Sequence, residues 1–170
     1  MGNGERGTGG ASIPAFLARL VERWAEDGIR PDGGAGEDAV RAFEERRRVR
    51  LPADLREYFL RLGGARMDGE SAALDRDLIR FWRLEDVETL ASSWVPAPDA
   101  ERWFVIADYS IWAWAYVIRL SADPGAATPV AVSLGATELI PVAASFEEFV
   151  EMYLRRDPLV LAPDQATTSG

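Results

Sequence analysis

Apolar positions along the chain change period from block to block. Ile13, Phe16, Leu17, Leu20, Val21 and Trp24 recur at helical spacing, which predicts an amphipathic helix. Ser12 stands where a cap belongs, Pro14 is tolerated in the first turn and Gly28 ends the element. The link IRPDGGAG reads as a loop. A second helix is predicted from Glu37, with Val40 and Phe43 inward and Glu37/Arg41 and Glu44/Arg48 as outward i,i+4 pairs. Leu51-Pro52 opens a third, LPADLREYFLRLGG, whose stripe is Leu55, Tyr58, Phe59 and Leu62; Gly63-Gly64 reads as its C-cap and turn. Residues 65–77 are polar and predicted to be an exposed loop. In LIRFWRLEDVETL a short strand around Ile79 to Trp82 precedes a short helix from Leu84 to Leu90, and ASSWVPAPDAERW is a proline-broken loop.

The period then becomes 2. Phe104 to Leu120, FVIADYSIWAWAYVIRL, predicts a β-hairpin at the middle of a sheet, turning near Asp108 to Ile111. From Trp112 the even positions Trp112, Trp114, Tyr116, Ile118 and Leu120 are large, while Ala113, Ala115 and Val117 are small and apolar. Both faces of this strand need cover, so it is not an edge. A buried Trp114 predicts a loss of about 3–5 kcal/mol on truncation to Ala. Two more strands follow, PVAVSLG and LIPVA, joined through Gly135. Ser145 and Glu148 form a capping box before a helix marked by Phe146, Phe149, Val150, Tyr153 and Leu154 and ended by Asp157-Pro158. Helices, then a mostly antiparallel sheet, then a helix give an α+β domain over residues 12–161, with 1–11 and 162–170 read as flexible tails.

Composition narrows the chemistry. The 170 residues include neither Cys nor His, which excludes thiol nucleophiles, imidazole bases and nearly all zinc sites. Residues 1–12 lack an apolar signal region and no run approaches the about 20 apolar residues of a membrane span, so the expected location is cytoplasmic, with no membrane partner. A net charge of -9 argues against nucleic acid and favours a basic protein partner. All basic side chains are Arg, the mark of a GC-rich bacterial genome. The run Arg46 to Arg50 reads as a solvated helix end, not a phosphate site. The loop carboxylates Asp68, Glu70, Asp75 and Asp77 lack calcium-loop spacing, and no cofactor motif is present. Asp108, the hairpin's one carboxylate, reads as a turn residue accepting backbone N–H bonds. An enzyme using Asp108 with Glu138 is the weaker alternative.

Three blocks in order, FEERRRVRLPADLREYFLRLGG, FVIADYSIWAWAYVIRL and PVAASFEEFVEMYL, resemble the SUKH superfamily, which contains yeast cell-wall regulators of the Smi and Knr type and many bacterial toxin-immunity proteins. The resemblance covers about residues 37–156. It rests on Phe43, Glu44, Leu51, Pro52, Gly63, Gly64, the Ala107-Asp108-Tyr109 turn and the Phe146 to Leu154 helix. One departure is Leu62, where members commonly carry Asn. The resemblance implies a non-catalytic binding fold and, among bacterial members, an antitoxin that neutralises a toxin domain encoded nearby, such as a basic nuclease; a regulatory or scaffold module with a housekeeping partner is the alternative. The candidate partner-binding residues are Asp68, Glu70, Asp75, Asp77, Trp82, Glu85, Asp86 and Glu88, with Trp82 or Trp94 as an aromatic anchor.

Overall fold

A computed structural model describes residues 12–66, 73–93 and 95–166. The first helix, α1 (Ala15–Ala25), buries the expected stripe, but Pro14 occupies its N-cap with no side-chain cap bond, and Ile13 is exposed. Ser12 is therefore not the cap. A two-residue strand, β1 (Arg30–Pro31), leads to α2 (Glu37–Arg47) and α3 (Ala53–Arg61), and β2 (Ala65–Arg66) pairs back on β1. Glu44, expected on the outward face of α2, is buried instead: its carboxylate accepts the Leu51 N–H at 2.9 Å and lies 3.7 Å from Arg50. It ties the end of α2 to the start of α3.

The glycine pair after α3 does what a C-cap and turn should. Gly63 has φ of 69° and donates its N–H to the Tyr58 carbonyl at 3.1 Å. A Cβ at Gly63 would stand 2.8 Å from the Gly34 backbone, so the chain crosses itself here at a spacing that only glycine allows. Leu62 just before it is buried in the core. At this position of the fold the side chain packs.

The main sheet is an antiparallel meander of β3 (Ile79–Phe81), β4 (Trp103–Tyr109), β5 (Trp114–Arg119), β6 (Val130–Ser133) and β7 (Leu139–Ala143), in spatial order. Chain order and spatial order coincide, so β5 is the middle strand, as the hydrophobic pattern predicts. Its Tyr116 and Ile118 point to the helices; Ala115 and Val117 point the other way, and all four are buried. A bulge between Val105 and Ala107 on β4 adds one residue to the register, which is why consecutive Ile106 and Ala107 both join the helix-side core. The turn lies at 110–113, later than expected, and Asp108 belongs to β4.

The helix-side core joins the sheet to α1, α3 and α4 (Phe146–Leu154). Its aromatic rings meet at tilted or edge-on angles: Trp24 with Phe81 at 5.5 Å, Tyr58 with Phe146 at 5.0 Å, Tyr116 with Phe149 at 5.1 Å. Ser145 caps α4 as expected, the Glu148 N–H donating to its Oγ at 3.1 Å, but the Glu148 carboxylate reaches back one residue further than a capping box, accepting the Ala144 N–H at 2.6 Å. Asp157 then caps a further turn, α5 (Pro158–Leu161), whose Val160 carbonyl accepts the Tyr116 hydroxyl at 2.6 Å, and α6 (Pro163–Ala166) follows. On the opposite face no α-helix of the described residues covers the sheet. Residues 84–102 do so with the 3-10 turns Leu84–Asp86, Leu90–Ser93 and Ala100–Arg102 in place of the expected helix from Leu84 to Leu90; Leu90, Ala97 and Ala100 pack on Val105, Ala115, Val117 and Ala131.

Candidate interaction surface

Three side chains meet under the irregular layer. Register places Arg80 of β3 opposite Asp108 of β4. One oxygen of Asp108, Oδ2, accepts from Arg80 Nε at 3.1 Å, Arg80 Nη2 at 2.5 Å and Trp82 Nε1 at 2.6 Å. Asp108 is 0% exposed. It is thus a buried ion-pair residue inside a strand, not a turn residue bonded to backbone N–H groups, and one oxygen of its carboxylate, Oδ2, is committed to two side chains. Glu138, its imagined catalytic partner, is exposed in the turn between β6 and β7. The geometry gives acid–base catalysis by this pair no support.

The acidic candidates separate by burial. Asp68, Glu70 and Trp94 lie outside the described residues. Asp75 is buried, against expectation: Oδ1 accepts the Asp77 and Ile79 N–H groups at 2.8 and 2.9 Å, and Oδ2 accepts the Tyr153 hydroxyl. Burial pushes its carboxyl above the usual range against those bonds, and burial together with Asp75 pushes the Tyr153 hydroxyl up as well. Asp77 is also withdrawn from solvent, held by Arg23 at 3.1 Å and Arg156 at 2.7 Å. Both carboxylates tie the loop to α1 and the end of α4, a structural duty that the polar sequence of the loop does not betray.

Trp82 is buried over the small face of the sheet. Glu85 and Asp86 are exposed, each 2.7 Å from Arg83, and Glu88 is half-buried, accepting from Ser93 Oγ at 2.9 Å. These three lie in the layer over the sheet. That layer also carries Asp99 and Glu101, both exposed and not singled out from the sequence. The signal was available: residues 84–101 hold five carboxylates and no basic side chain.

A second feature escaped the sequence pattern. Of the exposed large apolar side chains among the described residues, Leu78, Ile111, Trp112 and Leu134 all sit at one end of the sheet. Leu78 precedes β3, Ile111 and Trp112 make the turn between β4 and β5, and Leu134 follows β6, whose Ser133 pairs with Ala115. The Trp112 ring stands edge-on to Trp82 at 5.0 Å, while Tyr109 and Trp114 stack face to face at 3.8 Å. Far from this end, a groove of about 470 Å³ is lined by Arg41, Arg48, Arg50 and Arg56 with Glu44 and Glu45. It is a solvated helix end with its own counter-charges, as the sequence suggests.

The described residues contain no group of three or more side chains able to hold a metal ion, and no described helix is long and apolar enough to cross a membrane. A meander with helices on one face and an acidic irregular layer on the other defines an α+β domain. The chain belongs to the SMI1/KNR4 family (SUKH-1), whose family model matches residues 34–152. That span runs from the loop before α2 into α4 and leaves α1 outside. Domains of this family are protein-interaction modules that include immunity-type proteins. No curated protein matches the chain.

Proposed function

We propose that the chain is a non-catalytic, cytoplasmic immunity protein that binds a basic toxin domain, such as a nuclease, and neutralises it. The observation that carries this reading is the layer over the second sheet face, residues 84–101, with Glu85, Asp86, Glu88, Asp99 and Glu101 and no basic side chain of its own; Arg83 and Arg119 at its margins pair with Glu85, Asp86 and Asp99 and leave it an acidic excess. In a chain of net charge -9, such a layer attracts a cationic partner and speeds its docking. Trp82 props this layer from beneath, and Asp75 and Asp77 hold the neighbouring loop rather than touching the partner.

Co-expression with the toxin domain encoded beside its gene tests the proposal. The wild-type chain restores growth, and the triple variant Glu85→Lys, Asp86→Lys, Glu101→Lys associates about 10-fold or more slowly at low salt. No rescue by the wild type overturns the immunity reading. Rescue with unchanged association kinetics in the triple variant removes residues 84–101 from the interface.

A further inference from the structure

The apolar end of the sheet keeps much of its surface outside the core. Ile111 is 60% exposed, and Leu78, Trp112 and Leu134 beside it also face solvent. Backbone strain collects at the same place. Leu78, Ser110, Ile111 and Trp112 have φ of 61°, 47°, 56° and 73°, four of the seven non-glycine residues with positive φ in the described chain. A hairpin turn of this kind favours Gly or Asn. The turn here reads YSIWAW, with a β-branched Ile in the left-handed region, where such a residue is an outlier. Nothing in the packing requires that choice, since the Ile side chain is outside the core.

The tip is nonetheless rigidly mounted. Ser110 donates its N–H to the Leu78 carbonyl at 2.8 Å, and Ala113 donates to Tyr109 at 2.9 Å. Trp112 rests on Trp82, whose indole is held by Asp108, and the Tyr109–Trp114 stack supports the turn from the other face. A strained, exposed and braced apolar tip matches the anchors that dominate protein interfaces.

We infer that Ile111 and Trp112, flanked by Leu78 and Leu134, form an anchor that enters an apolar cleft on a basic protein partner. A second copy of this chain is the wrong occupant. Two chains of charge -9 repel, and the tip alone falls short of the about 800 Å² per partner that a stable interface buries. A cationic partner can spread from the tip onto the acidic layer, which Trp82 joins to it through Leu90, Ala97 and Ala100. The inference rests on the toxin-binding reading for its partner and adds which part of the chain enters the cleft.

The test compares wild type, Trp112→Ala and Ile111→Asn for affinity toward the toxin domain encoded beside the gene, for thermal stability and for mass by light scattering. Trp112→Ala weakens binding about 30-fold or more, and Ile111→Asn about 10-fold. Asn tolerates the left-handed backbone, so Ile111→Asn raises Tm by about 2–4 °C while binding falls. A variant that is more stable yet binds worse cannot owe its defect to misfolding. Wild-type affinity in both variants overturns the anchor and leaves the immunity reading intact. Failure of the wild type itself to bind removes both. A dimer that Ile111→Asn dissolves overturns the assigned occupant in favour of a second copy.

Discussion

Removing the Asp108 carboxylate tests the mounting of the second sheet face. In Asp108→Ala, Arg80 loses both its bonds and Trp82 Nε1 loses its acceptor. Breaking a buried ion pair from one side costs about 3–5 kcal/mol, because the other charge stays behind without a partner. Arg80 keeps a quarter of its side chain in solvent and recovers some hydration, which favours the lower half of that range. The buried indole has no such route, and an unmade bond there costs about 1–3 kcal/mol. The expected loss is therefore about 3–4 kcal/mol by urea unfolding, at unchanged m-value. Asp108→Asn keeps one acceptor oxygen and loses less. Arg80→Met leaves the carboxylate with the indole alone, and adding it to Asp108→Ala costs less than the sum of the two, by about 1 kcal/mol or more. A loss below about 1 kcal/mol for Asp108→Ala, or strict additivity in the double variant, would refute the pair as a coupled, buried unit.

Two further outcomes follow from burial and charge. Tyr116→Ala costs about 3–5 kcal/mol, since the ring is fully buried and its hydroxyl holds Val160, whereas Trp114→Ala costs about 2 kcal/mol because that ring is only half-buried in its stack with Tyr109; chemical denaturation that ranks them in the reverse order contradicts the placement of β5. Asp27 gives the pH dependence: burial opposes its ionisation, but the Arg76 N–H and the Arg23 and Arg76 guanidinium groups outweigh it and hold the carboxyl at about 2, below its ordinary 3.8. A lowered folded pKa contributes stability above the unfolded value that disappears as pH falls through the folded one, so the stability gap between wild type and Asp27→Asn is widest above pH 3.8 and shrinks toward pH 2; acid titration of both unfolding curves, with a gap that stays constant, would contradict it.

The fold was legible wherever one periodicity ran unbroken. The stripes of α1, α3 and α4 and the double burial of β5 follow from spacing alone, because a side chain at that spacing has one face on which to be buried. The failures share a cause. Glu44 and Asp75 look solvated because polarity says nothing of whether a carboxylate has found buried donors, and each found them through residues that a local pattern does not connect to it: the Leu51 N–H for Glu44, the Ile79 N–H and the Tyr153 hydroxyl for Asp75. Residues 84–102 read as a short helix and a loop because 3-10 turns have neither period, although Leu90, Ala97 and Ala100 pack on the sheet's second face as a helix would.

The exposed apolar tip was hidden by the strength of the signal around it. The large-small alternation runs without a break from Trp112 to Leu120, and on that pattern Trp112 and Trp114 belong to one buried face with Tyr116. Alternation reports face only while the backbone is extended. Three consecutive left-handed residues, 110–112, break the strand before Trp114, so the same periodic position that buries Tyr116 swings Trp112 across to Trp82 and leaves it partly in solvent. The hydrophobic run is thus a core from Trp114 onward and a surface before it. A sequence optimised for folding alone would place Asn-Gly at this turn and stop the apolar run at the strand. That the run continues into a strained, exposed turn is the physical reason to look there for the partner.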